Sequence, residues 1–300
     1  MVTESEEQTK CTNISKFSKM QNITQQSNIK SYIPTSTKNT NDFLIDTPLN
    51  TDENKKITEI KTNKAYLDLE VINSWILPQG LLLHFNNEGL ENSLRNMKDG
   101  ITYFGFLKNN NQDNNNNSEI DYIINPKDEE YDDNRYVGKH FKIEYCLNDN
   151  KYYIQDLGFG YGTFIKIIDE LKIYDNYLIN IGETYIVFKL SDNNTMNIKI
   201  FSGNEKYEPY VFKYNINKPI LIGRDCDCDI SIEDKRLSRF HCNINYDINN
   251  NIWLLKDGNK NSKSTNGTWL YAAENYQIYD GMIFKTNHNL FKCKYKFVEI

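Results

Sequence analysis

The clearest feature of this sequence is the alternation of apolar and polar positions in short runs that Asn, Gly and Asp residues separate. From about residue 66 onward such runs follow one another. The last run is the most regular, because in residues 291–297 every odd position is apolar and every even position is Lys. A period of two predicts a strand with one packed face and one solvated face. Many short strands with turns between them predict an all-β sandwich or barrel.

The alternating region also repeats itself, with a period of about one hundred residues, far above the range of solenoid repeats. The matching stretches are residues 121–124 with 229–232, 140–145 with 241–246, and 162–164 with 267–269. A repeat of this length is typical of a duplicated domain. We therefore predict two tandem β-sandwiches, residues 66–192 and 196–300, with the boundary in the polar stretch between residues 191 and 195.

The segment before the first sandwich, residues 1–65, is rich in Ser, Thr, Asn, Gln and Lys, and its apolar residues keep no period. Such a segment buries too little apolar surface to offset its ordering entropy, so we predict a disordered tail. It holds candidate phosphoacceptors, including Thr3, Thr24 and Thr47. The alternative is a plain solvated tail without that function.

Composition and charge narrow the function. The 300-residue chain has a formal net charge of -6, whereas general nucleic-acid binding requires a broad basic face. No apolar run is long enough to span a membrane, and residues 1–7 lack the basic and apolar parts of a secretory signal. We predict an intracellular protein, nuclear or cytoplasmic, that binds neither nucleic acid nor membrane.

The cysteines and histidines predict no metal and no cofactor. The six cysteines are scattered and form no disulfide framework. Cys226 and Cys228 are two residues apart, but no second ligand pair has suitable spacing, and Cys228 is interpreted as a strand-entry residue. The four histidines also lack metal-ligand spacing, and no nucleophile–base or nucleotide-binding signature is present. We therefore predict that the protein is not an enzyme.

Candidate chemistry gathers in three loops of the second repeat. These are the Gly223-Arg224 pair, the Ser-Arg-Phe-His run at 238–241 and the Ser-Thr-Asn-Gly-Thr-Trp run at 264–269. The loops of a sandwich can collect at one end. An Arg fork, hydroxyl groups and an amide brought together there form a cradle for a phosphate.

The order and spacing of these motifs resemble the forkhead-associated (FHA) domain family, whose members bind phosphothreonine peptides. The resemblance covers about residues 196–300. It implies that Arg224, Ser238 and Thr265 contact the phosphate, while Asn266 holds the peptide backbone. It implies a scaffold role for His241, bracing the loop of Ser238. The full set of implied phosphopeptide-binding residues is Arg224, Ser238, Thr265, Asn266, Arg236 and Arg239, and the scaffold residues are Gly223, His241, Gly267 and Thr268.

The surroundings of the motif carry two further expectations. In some members of the family, a residue at the position of Arg236 reads the third residue after the phosphothreonine, which implies a preference for acidic side chains there. Further cations flank the motif at Lys235, Arg239, Lys256, Lys260 and Lys263. They either steer a phosphopeptide to this apex or form a solvated rim. The sequence departs from the family at Tyr271, where Asn is common, and this leaves the bracing of the third loop in doubt.

The first repeat keeps the scaffold but lacks the ligands. Phe106, Val137 and Tyr161 stand where the second repeat has Arg224, Ser238 and Asn266. A phosphate there would find no compensating partners, and the acidic insert at 127–135 would repel it. The Gly-rich residues 158–162 precede another predicted strand rather than a helix, which argues against a nucleotide loop. We predict that this degenerate copy packs against its neighbour or offers a protein surface.

The leading hypothesis is thus a phosphothreonine-dependent interaction module acting through the second sandwich, with phosphothreonine-containing proteins as partners. The alternative is a structural scaffold subunit that uses both sandwiches as assembly surfaces without phosphate dependence. The discriminating feature is whether Arg224, Ser238 and Asn266 converge at one exposed apex.

Overall fold

The computed structural model describes residues 64–107, 119–124, 137–191, 195–202, 205–206, 209–213 and 218–298. All regular structure in these ranges is β-strand, so the prediction of an all-β fold is confirmed. The predicted disordered tail lies outside the described residues except for residues 64 and 65, and the acidic insert at 127–135 also lies outside them. The described part of the chain contains no helix long and apolar enough to cross a membrane.

The strands of the first half run up to Ser191. They are β1 (Lys64–Asn73), β2 (Leu82–Asn86), β3 (Gly89–Leu90), β4 (Ile101–Phe106), β5 (Tyr122–Ile123), β6 (Gly138–Cys146), β7 (Lys151–Asp156), β8 (Thr163–Lys166), β9 (Leu171–Lys172), β10 (Leu178–Ile181) and β11 (Thr184–Ser191).

The second half has a similar succession of strands. They are β12 (Thr195–Ser202), β13 (Glu205–Lys206), β14 (Tyr210–Lys213), β15 (Ile220–Gly223), β16 (Ile230–Ser231), β17 (Cys242–Asp247), β18 (Ile252–Asp257), β19 (Thr268–Tyr271), β20 (Tyr276–Gln277), β21 (Ile283–Thr286) and β22 (Asn289–Val298).

One large sheet joins both halves. Its order is β13-β12-β11-β10-β19-β8-β21-β22-β1-β2-β3, with β14 also paired to β12. Two five-stranded sheets complete the described structure, β16-β15-β17-β18-β9 and β20-β7-β6-β4-β5. The predicted boundary at 191–195 therefore falls between β11 and β12, which are paired neighbours in the large sheet.

The two five-stranded sheets lie side by side on one face of the large sheet. Residues directly opposite each other on neighbouring strands share a face, and the register aligns Ile179 with Leu270, Leu270 with Ile165, and Ile165 with Phe284. Ile179 and Leu270 belong to one hydrophobic core, whereas Ile165 and Phe284 belong to the other. We call the sandwich over β1 and β22 the first sandwich, and the one over β10 to β12 the second sandwich.

Each sandwich takes strands from both halves of the chain. The core of the first sandwich combines Phe104 and Phe141 with Phe284 and Phe291 from the end of the chain. The core of the second contains strand residues of β10 and β11, such as Ile186. The two halves thus exchange their last strands: β22 pairs with β1, and β11 pairs with β12. The sequence repeat and the sandwiches do not coincide, and the domain division made from the sequence stays a prediction.

The last strand follows its predicted alternation. Phe291 and Cys293 are fully buried, while the lysines at positions 292, 294 and 296 lie on the opposite face. Two of these lysines meet acidic residues on β1: Lys294 forms an ion pair with Glu70 at 3.1 Å, and Lys296 pairs with Asp68. The apolar face of β22 therefore completes the first core, and its basic face is matched by the acidic face of β1.

Candidate functional site

Three loops leave the second sandwich at the same end. In its five-stranded sheet the register aligns Ile222 with Cys242, and Cys242 with Asp257. β16 runs parallel to β15, so the ends of both strands lie at this edge. The residues after β15, between β16 and β17, and between β18 and β19 are therefore neighbours at one apex.

Gly223 brings the first two of these loops together. A Cβ atom on Gly223 would lie 2.0 Å from the carbonyl oxygen of Arg239, so any side chain would force the loops apart. The Arg224 N–H donates to the carbonyl of Ser238, and the Asp225 N–H donates to that of Arg239, both at 3.2 Å. These bonds fix the backbone of Arg224, while its side chain is exposed and makes no ion pair or hydrogen bond with any described residue.

Ser238 connects the second loop to the third. The Thr265 N–H donates to the Ser238 hydroxyl oxygen at 3.0 Å, and the two hydroxyl oxygens are 3.3 Å apart. Both hydroxyls face the exposed side of the apex, with Ser238 half-buried and Thr265 exposed. Two hydroxyl groups and one free guanidinium on loops joined by backbone bonds can donate to the oxygens of one phosphate.

His241 links the same two loops from behind. Its ring is fully buried, its Nδ1 accepts the Ser238 N–H at 3.1 Å, and its Nε2 lies 3.1 Å from the Gly267 carbonyl oxygen. Because Nδ1 accepts, the proton of the neutral ring is on Nε2 and is donated to Gly267. Burial lowers the pKa of His241. This geometry suits a scaffold residue rather than a catalytic base.

The lowered pKa of His241 predicts a pH-dependent stability. The unfolded chain binds a proton to this ring below a pH of about 6.5, but the folded protein resists it. The stabilisation is therefore complete above that pH and is lost as the pH falls through the lower pKa of the folded state. Denaturant titrations should show this loss in the wild type and a weaker one in His241→Gln. An equal loss of stability in His241→Gln and in the wild type would contradict this assignment.

The third loop is braced by a buried carboxylate. Asp257 accepts hydrogen bonds from the Ser264 hydroxyl at 2.6 Å and the Thr268 hydroxyl at 2.7 Å. Ser264 in turn accepts the N–H of Gly267, which has a φ of 77° that favours glycine. The doubt raised by Tyr271 is thus answered by other residues. Sequence reasoning missed Asp257 and assigned Ser264 no role within its motif, although an Asp also ends the corresponding strand of the first half, at Asp156.

Asn266 is held at the edge of the apex. Its side-chain N–H donates to the carbonyl of Arg236 at 2.7 Å, and its own carbonyl accepts the indole N–H of Trp269 at 2.9 Å. Its amide oxygen makes no hydrogen bond with the described residues. The side chain therefore presents an oriented acceptor beside the two hydroxyls.

The flanking cations differ in whether they already contact an acceptor in the protein. Lys256 forms an ion pair with Glu170 at 3.4 Å, and the Lys263 ammonium donates to the carbonyl of Ile168. Lys235, Arg239 and Lys260 are exposed and make no ion pair with the residues that the structure describes. The cations without an ion pair therefore lie on the second and third loops, and the other two connect β18 and the third loop to the first half.

Arg236 contacts the first half of the chain. Its guanidinium lies 3.1 Å from the Glu183 carboxylate, in the turn between β10 and β11. That turn is fixed by Asp234, whose carboxylate accepts the Glu183 N–H at 2.7 Å. A cavity of about 490 Å³ opens beside this pair, lined by Gly182, Arg236, Asn266, Trp269 and Lys285. No sequence motif indicates this junction, because the turn belongs to the other half.

Cys228 also stabilises the apex. Its thiol is buried and lies 3.3 Å from the Arg239 carbonyl oxygen as a donor. Burial raises the pKa of this thiol to about 11, so it stays protonated at neutral pH. Cys226, in contrast, is exposed. The two thiols therefore occupy different environments.

The corresponding loops of the first sandwich have the same backbone geometry with different side chains. A Cβ atom on Gly105 would lie 2.1 Å from the carbonyl oxygen of Gly138, as at Gly223. The His140 carbonyl accepts the Leu157 N–H at 2.8 Å, as His241 accepts that of Gly258 at 2.7 Å. The positions matching Arg224, Ser238 and Asn266 hold two aromatic residues and an aliphatic one, namely Phe106, Val137 and Tyr161.

Comparisons with known proteins give a family match in the second half of the chain. Residues 220–285 match the FHA domain family, and this range contains all three loops of the apex. A solved FHA domain, from a structural and functional analysis of phosphothreonine-dependent FHA domain interactions, is 23% identical to the chain. It covers 39% of this chain and 95% of its own length, with a TM-score of 0.17. No curated protein matches the chain at a significant level.

Proposed function

Since residues 220–285 match the FHA domain family, we propose that the protein is an interaction module that binds phosphothreonine-containing proteins through the apex of the second sandwich. This proposal rests on the observation that three hydrogen-bond donors lie on loops which hydrogen bonds hold together. The hydroxyls of Ser238 and Thr265 are 3.3 Å apart, and the Arg224 guanidinium on the adjoining loop has no partner among the described residues. A dianionic phosphate supplies acceptors for the Arg224 guanidinium and the Thr265 hydroxyl, and the Ser238 hydroxyl, which donates to Thr265, can turn towards it.

The other apex residues have supporting roles in this proposal. Asn266 offers its amide oxygen to a backbone N–H of a peptide bound in extended form. Arg236 and Arg239 flank the cradle and raise the local concentration of an anionic peptide. His241, Gly223, Gly267 and Thr268 hold the loops in place. The mechanism is recognition alone, with no reacting group in the site.

For the first sandwich we propose a degenerate copy of the same module. Phe106, Val137 and Tyr161 offer neither a guanidinium nor an amide to a phosphate, so binding there would leave the phosphate charge uncompensated. The first half of the chain instead supports the second sandwich, to which it contributes β10 and β11. Full-length protein in which substitutions disable the apex of the second sandwich should therefore show no residual phosphate-dependent binding.

The direct test is a titration of the full-length protein with a library of phosphothreonine peptides, with the unphosphorylated peptides as controls. Binding that depends on the phosphate, together with chemical-shift changes at Ser238, Thr265 and Asn266, would support the proposal. Equal binding of phosphorylated and unphosphorylated peptides would favour the scaffold alternative. The full chain is needed because residues 196–300 alone lack β10 and β11.

We also expect phosphothreonine to be preferred over phosphoserine, as in the family that the motif resembles. The extra methyl of phosphothreonine is apolar, and burying it is worth about 1 kcal/mol, or roughly fivefold in affinity. Calorimetry on one peptide in both forms measures the difference. Equal affinities would mean that the threonine methyl makes no apolar contact when the phosphate is bound.

A further inference from the structure

Lys285 occupies an unusual place at the junction of the two halves. It lies on β21, directly opposite Phe164 of β8, on the face of the large sheet that points away from both sandwich cores. Its ammonium donates to the Asn180 side-chain oxygen at 2.7 Å and lies 4.5 Å from the ring centroid of Trp269. The ring of Phe164 is 5.6 Å away. The ammonium is thus held by two aromatic faces and one amide, without any carboxylate among the described residues.

This environment stabilises the charge incompletely. An amide and two aromatic faces replace part of the lost hydration, but a desolvated cation is costly unless an anion compensates it. Burial lowers the pKa of Lys285 to about 7, and the neighbouring Arg236 lowers it further in the same direction. A negatively charged group entering beside Lys285 would therefore gain from a cation that the protein has already desolvated.

The cavity beside Lys285 has room for such a group. Its volume of about 490 Å³ is bounded by Trp269 and Gly182, and the two cations Lys285 and Arg236 both line it. Asn266 belongs to the cavity and also to the loop of the phosphate cradle. An extended peptide advances about 3.3 Å per residue, so a peptide held at Asn266 carries a nearby side chain to the cavity.

We propose that Lys285 is a specificity-determining residue which, together with Arg236, takes the carboxylate of an acidic side chain flanking the phosphothreonine. This proposal rests on the proposed function. The family resemblance implies a role for Arg236 alone, whereas Lys285 lies on a different strand and reaches the apex from the junction of the sandwiches. The exposed pair of Arg236 with Glu183 is worth little by itself and does not prevent an exchange of partners.

The exchange of strands creates this subsite. Asn180 and Lys285 occupy corresponding places in the β10–β11 and β21–β22 hairpins, and they meet where the two halves join. Gly182, from the first half, forms one wall. The subsite therefore requires both halves of the chain in their observed arrangement, and it is a property of the whole protein rather than of residues 220–285.

The test compares phosphothreonine peptides that carry Glu or Gln at each position near the phosphothreonine, titrated into full-length protein by calorimetry. For one position the wild type should prefer Glu by about tenfold, the size expected for a hydrogen bond to a charged group. Lys285→Met should bring the ratio of the two affinities close to one, and Lys285→Gln provides a second neutral variant. Thermal melting verifies that each variant is folded.

Lys151→Met is the matched control, because Lys151 also donates to a side-chain amide oxygen, that of Gln277 at 3.1 Å, but on the first sandwich. It removes the same charge and should keep the preference for Glu. The proposal is overturned if the wild type shows no preference for Glu over Gln at any position, or if this preference survives in both neutral Lys285 variants. In either case the phosphate-dependent binding itself still stands. Absence of phosphate-dependent binding for every peptide would overturn the proposed function and this subsite with it.

The pH dependence gives a second readout. The groups that face Lys285 are Arg236, Asn180 and the Trp269 ring, with Glu183 beyond Arg236 and Lys166 across Trp269. A bound carboxylate favours the protonated ammonium, so the preference for Glu should be largest near pH 6 and decline towards pH 9. The phosphate titrates alike in both peptides and cancels in the ratio. Lys285→Arg stays charged throughout, so its preference should not change with pH; an unchanged wild-type ratio across this range would contradict the assignment.

Discussion

Replacing Arg224 with alanine should abolish measurable binding of phosphothreonine peptides to the full-length protein. Loss of one partner from a desolvated, charge-assisted contact costs about 2–5 kcal/mol, which is more than about tenfold in affinity. The phosphate would keep the Ser238 and Thr265 hydroxyls but lose its only fork of cationic donors on the first loop. Isothermal titration of one peptide into both proteins measures the effect.

The fold should survive this substitution. The Arg224 side chain is exposed, and the bond that joins its loop to Ser238 comes from the backbone N–H, which alanine keeps. Lys235→Ala is the matched control, since it removes an exposed positive charge from the same apex. It should change mainly the association rate and its salt dependence. Wild-type affinity in Arg224→Ala would refute the assignment of the site.

Much of the fold follows from the sequence because alternation is a local property. The buried and solvated faces of β22 match its pattern of apolar and Lys residues. The repeat indicates that the two halves have similar strands. It does not determine which strands pair, because the alternation allows the last strand of each half to pair with the first strand of either half. The register of a strand and the face that it buries depend on the same alternation. The exchange of strands between the halves therefore cannot be predicted from the hydrophobic pattern.

The site was predictable to the extent that its residues come from loops of one half. Ser238, Thr265 and Asn266 lie on adjoining loops, and a hydrogen bond links the first two. Glu183 and Lys285 could not be predicted as neighbours of Arg236, because they reach the apex through strand exchange. Their relation depends on the tertiary pairing of β10 with β19 and of β21 with β8.

Tyr271 illustrates the same point. The family resemblance places an Asn at this position, and the sequence offers no reason for the change. In the structure the Tyr271 hydroxyl donates to the buried carboxylate of Asp156, in the first half, at 2.6 Å. Burial raises the pKa of Asp156 to about 6, and the tyrosine bond opposes that rise. The substituted residue therefore connects the halves instead of bracing its own loop.

The exchange of strands predicts that the two halves will remain together after the chain is cut between them. A protease site inserted between Ser191 and Thr195 lies in the connection of β11 to β12. After cleavage, β10 and β11 remain part of the second sandwich, and β20 to β22 remain part of the first. Separation would remove strands from both cores at once. We expect size-exclusion chromatography with light scattering to show one particle with the mass of the uncut protein.

A substitution in the hydrophobic core of the first sandwich tests the same exchange of strands. Phe284 belongs to the second half by sequence, but its ring packs edge-on against Phe141 of β6, with centroids 5.7 Å apart. Phe284→Ala should therefore destabilise the first sandwich by about 3–5 kcal/mol, because it removes a buried aromatic side chain and leaves a cavity. Hydrogen exchange should accelerate first at the amides of β6 and β7. Cut fragments that separate as folded monomers, or faster exchange confined to β15–β18, would mean that each half closes on its own strands.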